Sequence, residues 1–182
     1  TGEDASTIHR LLEAGIDPFS GQMCFGRDES NPLKTNAIIV DETSMVDLPL
    51  MHSLLQAVRP NTRLILVGDS DQLPPVGPGC PFRDGLKSGV LPTVRLTEVF
   101  RQAQESLIVM NAHSINRGEM PDLGCKNRDF FFIPVGSERQ LQEIVAGLIT
   151  QRLPQNMGIP ADQIQVLTPT RKGLVGTWEL ND

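Results

Sequence analysis

The stretch "NAIIVDETSMVD", Asn36 to Asp47, decides the fold class, because a short apolar run ends there in two adjacent acids. The residues "AIIV" are small or β-branched, and such a run is typical of a strand buried on both faces of a parallel sheet. Ligands of these sheets collect at the carboxyl ends of the strands. Asp41 and Glu42 are therefore predicted to lie at a ligand-binding edge.

Strand-like and helical segments alternate along the rest of the chain, which predicts an α/β fold with a largely parallel sheet flanked by helices. One helix, "LPLMHSLLQAV", is predicted to bury the face formed by Leu50, Leu54, Leu55 and Val58. The other predicted helices are "TIHRLLEAG", ending at Gly15, "ESLIVMNAHSINRG", ending at Gly118, and "ERQLQEIVAGLITQRL". The other predicted strands are "RLILVGD", "VRLTEVF", "DFFFIPV" and "IQVLTPT".

Composition limits the classes of function. The chain has 182 residues with 39% hydrophobic and 21% charged residues, and no apolar run approaches the ~20 residues of a membrane helix. The 3 cysteines are far apart in the sequence, so neither a zinc site nor a disulfide framework is expected. A cytoplasmic location with reduced cysteines is expected instead. A net charge of −6 disfavours nucleic-acid binding over the whole protein surface, but it allows a local groove that binds a single strand.

Asp69 adds a third acid, at the end of "LILVGD". Three carboxylates at neighbouring strand ends repel one another unless a cation lies between them, and Mg²⁺ carrying a nucleotide meets that need with hard oxygen ligands. Asp41 is assigned to the metal and Glu42 to the attacking water. The alternative is that Asp41 and Glu42 only cap the helix that follows.

Two further side chains suit phosphate chemistry. Gln72, in "GDSDQLPPVGPG", can both donate and accept at a γ-phosphate or a water, and Pro74 and Pro75 stiffen the loop after it. Arg101, in "LTEVFRQ", carries the permanent planar charge that a γ-phosphate requires. The alternatives are a surface turn at Gln72 and a surface salt bridge at Arg101.

The phosphate-cradling motif GxxxxGK[ST] does not occur in the 182 residues. "GPGCPFRDGLKSG" contains Lys87 and Ser88 but lacks the spacing before them. If the protein is an ATPase, its phosphate loop is expected upstream of Thr1. Both chain ends are interpreted as cuts inside a larger protein.

The segments "STIHRLLE", "AIIVDETSMVD", "LILVGDSDQLPPVGPG", "VRLTEVFRQAQESLIVMNAHSINRGEMP", "DFFFI" and "IQVLTPTRKGLVGTWELN" together resemble RecD/TraA-type superfamily 1 DNA helicases. The resemblance covers nearly the whole chain and favours the stand-alone RecD-like type, which belongs with the exodeoxyribonuclease V alpha subunit. It implies a RecA-like P-loop NTPase motor, with residues 1–104 as the latter part of a first lobe and residues 105–182 as the beginning of a second.

The resemblance implies 5′-to-3′ unwinding of DNA driven by ATP and Mg²⁺, in repair or recombination. "DETS" is similar to the Walker B segment, with Asp41 on Mg²⁺ and Glu42 as the catalytic base. Asp69 and Gln72 would belong to the nucleotide site, with Gln72 facing the γ-phosphate. Arg101 would reach ATP from the second lobe.

The implied partners are single-stranded and duplex DNA, together with other subunits of a recombination nuclease complex if the parent protein works in one. The residues implied to contact DNA are His9, Pro74, Pro75, Val76, Thr168 and Arg171. An ordinary buried histidine is the alternative for His9, and an unremarkable strand-end turn is the alternative for Thr168 and Arg171.

The stretch from Asp17 to Asn36 falls where such helicases carry a small hairpin, the pin that separates the strands of the duplex. A hairpin is therefore expected within residues 17–36, and Phe25 is predicted to lie at its working face.

Later motifs of the family, including its terminal arginine finger, do not occur in the chain. Residues 1–182 alone are therefore expected not to turn over ATP. One alternative is the motor segment of a TraA-like conjugative relaxase-helicase. Another is a non-catalytic interaction domain, although that class has no need of Asp41, Glu42, Gln72 and Arg101 together.

Overall fold

A computed structural model describes residues 5–96, 105–124 and 129–181 of the chain. The chain divides into two compact units, Thr1–Glu98 and Val99–Asp182, and each is described by itself. Arg101 lies outside the described residues.

Residues 5–96 of the first unit contain three α-helices, four strands and a 3₁₀ turn: α1 (Ile8–Leu11), β1 (Ala14–Ile16), β2 (Met23–Phe25), β3 (Ala37–Val40), the 3₁₀ turn Thr43–Met45, α2 (Leu48–Ala57), β4 (Arg63–Leu66) and α3 (Pro81–Ser88). The described residues of the second unit, 105–124 and 129–181, contain four α-helices, a π-helical turn and a 3₁₀ turn: α4 (Leu107–Asn116), α5 (Glu138–Gly147), the π turn Leu148–Arg152, α6 (Leu153–Met157), the 3₁₀ turn Ala161–Gln163 and α7 (Thr177–Asn181).

Strands β3 and β4 form the parallel sheet that the sequence predicts. They pair in register from Ala37 opposite Arg63 to Val40 opposite Leu66. The α/β fold class is therefore confirmed. Burial of β3 on both faces is wrong, because Ile38 and Val40 are buried whereas Ile39 is 67% exposed. The strand alternates because the core that the described residues form packs on one face only.

The core of the first unit is formed by α1, β3 and α2, with Leu12, Val40 and Leu54 among its buried side chains. Asp47 caps α2 by accepting a hydrogen bond from the Leu50 amide (3.0 Å).

The buried face of α2 differs in part from the predicted one. The buried side chains are Met51, Leu54 and Ala57, while Leu50 and Val58 are half-buried against the same cluster. Leu55 is 51% exposed, so its predicted burial is wrong. Consecutive helical residues are about 100° apart around the axis, and Leu55 therefore lies beside the face that Leu54 buries.

The predicted hairpin exists, but it begins before residue 17. Strands β1 and β2 pair antiparallel, with Ala14 opposite Phe25 and Ile16 opposite Met23. Helix α1 ends at Leu11, so the predicted helix end at Gly15 is wrong and Gly15 lies in β1. Glu13, which has a φ of 56°, turns the chain between helix and hairpin.

The second unit has helices but no strand among residues 105–124 and 129–181. The strands predicted at "DFFFIPV" and "IQVLTPT" are therefore wrong, since a strand requires a partner for its backbone groups and the described part of this unit provides none. "VRLTEVF" forms no strand over residues 94–96, and its remainder lies outside the described residues.

Both helices predicted for the second unit are confirmed, although a π-helical turn interrupts the second of them. Helix α4 is followed by Gly118 at a φ of 75°, and the predicted long helix is α5, the π turn and α6 in succession. The buried Asn111 side chain exchanges two hydrogen bonds with the Asp122 backbone (2.8 and 3.0 Å). Within the ranges that the structure describes, no helix has the length and apolar character needed to cross a bilayer.

Two neighbouring leucines of α2 test this core. Replacing the fully buried Leu54 by alanine removes apolar contacts and leaves a cavity, which is expected to lower the free energy of unfolding by about 2–5 kcal/mol. Leu55→Ala is the matched control and is expected to cost less than about 1 kcal/mol. Denaturant titration followed by far-UV circular dichroism measures both, and equal losses would contradict the observed face of α2.

Candidate functional site

The hydrogen bonding of the parallel sheet continues past the ends of its strands. The Val67 amide donates to the Val40 carbonyl (2.8 Å), and the Thr43 amide donates to the Val67 carbonyl (2.9 Å). The Thr43 hydroxyl also donates to the Val40 carbonyl (2.9 Å), and Thr43 is fully buried. The "DETS" turn is therefore fastened beside the loop that follows β4.

Asp41 and Glu42 are both exposed at the carboxyl end of β3, as predicted. One Asp41 carboxylate oxygen, Oδ1, accepts a hydrogen bond from the Glu42 amide (2.9 Å). Glu42 has left-handed backbone angles (φ 52°, ψ 37°), which for a residue with a Cβ cost about 1–2 kcal/mol. The capping alternative is wrong, because Asp47 and not either of these acids caps α2.

The loop after β4 contacts the "DETS" turn through a side chain that the sequence reasoning missed. The Ser44 hydroxyl donates to Oε1 of Gln72 (3.3 Å). In the same loop the backbone amide of Gln72 donates to the Asp69 carbonyl (3.3 Å), and the backbone amide of Asp71 donates to Oδ1 of Asp69 (2.9 Å). Gln72 is thus tied both to its own loop and to the turn that carries the two acids. The only sequence signal for Ser44 was its place within "DETS".

A cleft of the first unit collects four of the predicted site residues, Asp69, Gln72, Pro74 and Pro75. Its full lining is Ser44, Asp69, Ser70, Gln72, Pro74, Pro75, Cys80, Phe82 and Arg83. Asp41 and Glu42 lie outside this lining, and Val76, the last predicted residue of the loop, is fully exposed.

Gly68 lies where this loop leaves the sheet. A methyl group at Gly68 would be 3.0 Å from the Ser44 amide nitrogen and 3.1 Å from the Phe82 ring, so the turn, the loop and α3 pack closely there.

The proline-rich loop is fastened to the start of α2. The Leu48 amide donates to the Pro78 carbonyl (2.9 Å). A methyl group at Gly77 would collide with the carboxylate of Asp47, the residue that caps α2. Glycine at this position therefore permits the loop to lie against the helix cap.

The acids suit a magnesium ion held mainly by its nucleotide. Among the residues that the structure describes, no group of three or more His, Cys, Asp or Glu side chains is arranged to hold a metal. Mg²⁺ in phosphate-transfer sites is bound through one or two carboxylates, waters and substrate phosphates, and needs no such cage. The exposed carboxylate of Asp41, with one oxygen oriented by a backbone amide, fits that role.

His9 and Phe25 lie side by side at the base of the hairpin, with ring centroids 6.1 Å apart. Phe25 is half-buried and packs against the core. The exposed aromatic residue of the hairpin is instead Phe19, which is 98% exposed in the connection between β1 and β2. Sequence reasoning chose Phe25 for strand separation and overlooked Phe19.

Asp17 organises the connection that carries Phe19. Its Oδ1 accepts hydrogen bonds from the Phe19 amide (3.0 Å) and from the amide and hydroxyl of Ser20 (2.6 and 2.8 Å). These bonds stabilise the ionised form, and those from Ser20 contribute most to holding the pKa of Asp17 below its usual value. The connection is therefore a structured turn at neutral pH.

Thr168 and Arg171 lie in the second unit, in a turn closed by backbone hydrogen bonds. The Thr168 hydroxyl donates to the Val175 carbonyl (2.6 Å), so a DNA phosphate would have to compete with that bond. The Arg171 carbonyl accepts from the Trp178 backbone amide (3.2 Å), and Arg171 is exposed. Lys172 lies 5.6 Å from the Trp178 ring centre.

Comparison with known proteins shows the family. Residues 1–129 match the family described as "AAA domain". The chain belongs to this AAA-domain family of P-loop proteins. This match agrees with the α/β fold and its parallel sheet.

Individual relatives confirm the RecD-like resemblance. The chain is 40% identical, over all of its 182 residues, to a protein of Deinococcus radiodurans described as "ATP-dependent RecD2 DNA helicase", and it spans 23% of that protein. It is 50% identical over 84 residues, 46% of the chain and 15% of the relative, to the "RecBCD enzyme subunit RecD" of Mycolicibacterium smegmatis. It is 46% identical over 77 residues to the subunit of that name from Haemophilus influenzae, covering 42% of the chain and 11% of the relative. The chain therefore spans less than a quarter of these relatives.

Proposed function

We propose that the chain is part of the motor of an ATP-dependent 5′-to-3′ DNA helicase, which couples ATP hydrolysis to translocation on a single strand and to unwinding in repair or recombination. The observation that carries the proposal is the Ser44–Gln72 hydrogen bond, which joins the turn bearing Asp41 and Glu42 to the loop bearing Gln72. The full-length similarity to a protein described as a RecD2 DNA helicase supports it.

In this proposal the two adjacent acids divide the nucleotide chemistry. Asp41 holds Mg²⁺, which when bound neutralises phosphate charge, and Glu42 orients the attacking water and accepts its proton. The left-handed backbone of Glu42 supports a specialised role, since strained residues concentrate at functional sites. Asp69 and Gln72 complete this side of the site, and Arg101, which lies outside the described residues, is proposed to bind the γ-phosphate.

The loop after Gln72 is proposed to couple the nucleotide to DNA. Gln72 is hydrogen-bonded to Ser44 at one end, and the Pro78 carbonyl is bonded to α2 at the other. Pro74 and Pro75 stiffen the segment between them, so a shift at Gln72 is passed on to the exposed Val76. Val76 and the two prolines then contact the strand.

Residues outside this loop complete the proposed DNA interface. His9 contributes from the first lobe, residues 1–104, and Arg171 from the second, residues 105–182. Thr168 positions the Arg171 turn through its bond to Val175 and contacts DNA only if that bond opens. The parent protein is proposed to act in the cytoplasm on single-stranded and duplex DNA, with other subunits of a recombination nuclease complex as candidate partners.

Glu42→Gln tests the proposed base in the complete protein that carries this sequence. The amide keeps the size of the side chain but cannot accept the proton, so kcat for ATP hydrolysis is expected to fall by about 10²-fold or more while ATP affinity stays within a few fold. Glu29→Gln, at an exposed position that is not among the proposed nucleotide residues, is the matched control and is expected to keep full ATPase activity. A Glu42→Gln protein that hydrolyses ATP at the wild-type rate would contradict the assignment.

Residues 1–182 produced alone are expected not to turn over ATP, because the sequence contains both Walker B acids but no GxxxxGK[ST] motif to bind the phosphates. A steady-state ATPase assay with single-stranded DNA measures this, and circular dichroism verifies that the chain is folded. Turnover above background that Glu42→Gln abolishes would show that the prediction is wrong.

Phe19 is proposed to replace Phe25 as the working residue of the hairpin, because it is the aromatic residue exposed at the turn. Stacking of an aromatic ring on a base contributes about 1–3 kcal/mol, so Phe19→Ala in the complete protein is expected to slow unwinding roughly fivefold or more. ATPase activity stimulated by single-stranded DNA should stay within about twofold, since Phe19 is remote in sequence from the proposed nucleotide residues.

Phe25→Ala distinguishes the base of the hairpin from its turn. Because Phe25 packs on the core, this variant is expected to lower the free energy of unfolding by roughly 1–3 kcal/mol. A strand-displacement assay measures unwinding for both variants. Wild-type unwinding by Phe19→Ala would refute the proposed role of the turn.

A further inference from the structure

A second cavity of the first unit has a volume of about 270 Å³. Its lining residues are Ser70, Asp71, Arg83, Leu86, Lys87 and Arg95. It adjoins the cleft that contains Gln72, because Ser70 and Arg83 line both. Neither Asp41 nor Glu42 lines either one.

The lining of this cavity is positively charged. It has three cationic side chains, Arg83, Lys87 and Arg95, against one carboxylate, Asp71. The ion pairs found among the described residues, Glu13–Arg27 and Arg117–Glu119, involve none of the three cations. The chain as a whole has a net charge of −6, so this positive lining runs against its overall balance.

Helix α3 places two of the cations together. Arg83 and Lys87 are four residues apart, so their side chains lie on one face of the helix. Asp84, the neighbour of Arg83 in the sequence, is not among the residues that line the cavity. A guanidinium and an ammonium group on one wall are the donors that bind phosphate oxygens in proteins.

We propose that this cavity binds a phosphate of the sugar–phosphate backbone of a single DNA strand, an inference that rests on the proposed helicase function. The exposed apolar side chains of Leu73 and Val76 belong to the loop that also carries Gln72, Pro74 and Pro75 of the neighbouring cleft, and they are available for contact with bases. A positively charged groove that follows the backbone is a general feature of single-strand binding sites.

The alternative ligand for this cavity is a phosphate group of the nucleotide, which the same cationic side chains could bind. Asp69 and Gln72, which are proposed to belong to the nucleotide site, line the adjoining cleft but not this cavity, and Asp41 and Glu42, the residues proposed to handle Mg²⁺ and water, line neither; the strand is therefore favoured for this cavity. A volume of about 270 Å³ is close to the lower end of the roughly 300–1,000 Å³ found for ligand pockets. This space suits one phosphodiester with part of its sugar.

The test uses the complete protein with the double variant Lys87→Gln/Arg95→Gln, whose two positions line this cavity but not the Gln72 cleft, and Lys34→Gln as the control for loss of an exposed cation elsewhere in the first unit. Fluorescein-labelled oligo(dT) reports strand binding by anisotropy over a series of salt concentrations. The double variant is expected to raise the Kd about tenfold or more at low salt. Its log Kd against log salt should be less steep by about 0.7 for each DNA phosphate that the variant no longer neutralises. Lys34→Gln should match the wild type, and Lys87→Arg should retain the affinity because it keeps the charge.

Binding of a fluorescent ATP analogue with Mg²⁺ distinguishes the two sources of phosphate. The proposal expects its Kd to stay within about twofold of wild type in the double variant. Loss of nucleotide binding with unchanged oligo(dT) binding would assign the cavity to the nucleotide and overturn the proposal, as would unchanged binding of both. A wild-type protein that binds no oligo(dT) at any salt would contradict the helicase function itself.

Discussion

The continuation of parallel pairing beyond β3 and β4 is the constraint on which the candidate site depends. The Val40 carbonyl accepts hydrogen bonds from both the Val67 amide and the Thr43 hydroxyl, and the Thr43 amide donates a hydrogen bond to the Val67 carbonyl. Each bond contributes about 0.5–1.5 kcal/mol net, but a buried polar group left without a partner costs about 1–3 kcal/mol. Thr43 is fully buried, so the two loops cannot separate without that cost.

Because these loops are fixed together, one strained residue can be held at the edge. Glu42 adopts the left-handed conformation immediately before the buried Thr43, whose hydrogen bonds oppose relaxation of the turn. The next residue, Ser44, then reaches Gln72 across the boundary between the two loops. Three consecutive residues thus expose a carboxylate, fasten the turn and contact the neighbouring loop. This division of roles explains why a short polar turn follows an apolar strand.

Local pattern predicted the elements around the site but not the faces they bury. The runs around Ile38 and Leu64 specify strands, and the acids after them fall at the sheet edge by chain order alone. The exposure of Ile39 and Leu55 depends on which elements cover each face, and a periodic sequence does not encode that. The Ser44–Gln72 contact joins residues 28 apart, so it becomes visible only once the register of the sheet is known.

The net charge of the sequence likewise does not reveal where charges of one sign cluster in the structure. A net charge of −6 disfavours contact with a polyanion over the whole surface, yet exposed charges are screened beyond about 10 Å at moderate ionic strength. The field at a bound phosphate is therefore set by its immediate neighbours. In the first unit the acids after β3 are absent from the cavity that Arg83, Lys87 and Arg95 line. An acidic chain can in this way have one sheet edge that carries carboxylates and, lining a cavity of the same unit, a group of cations.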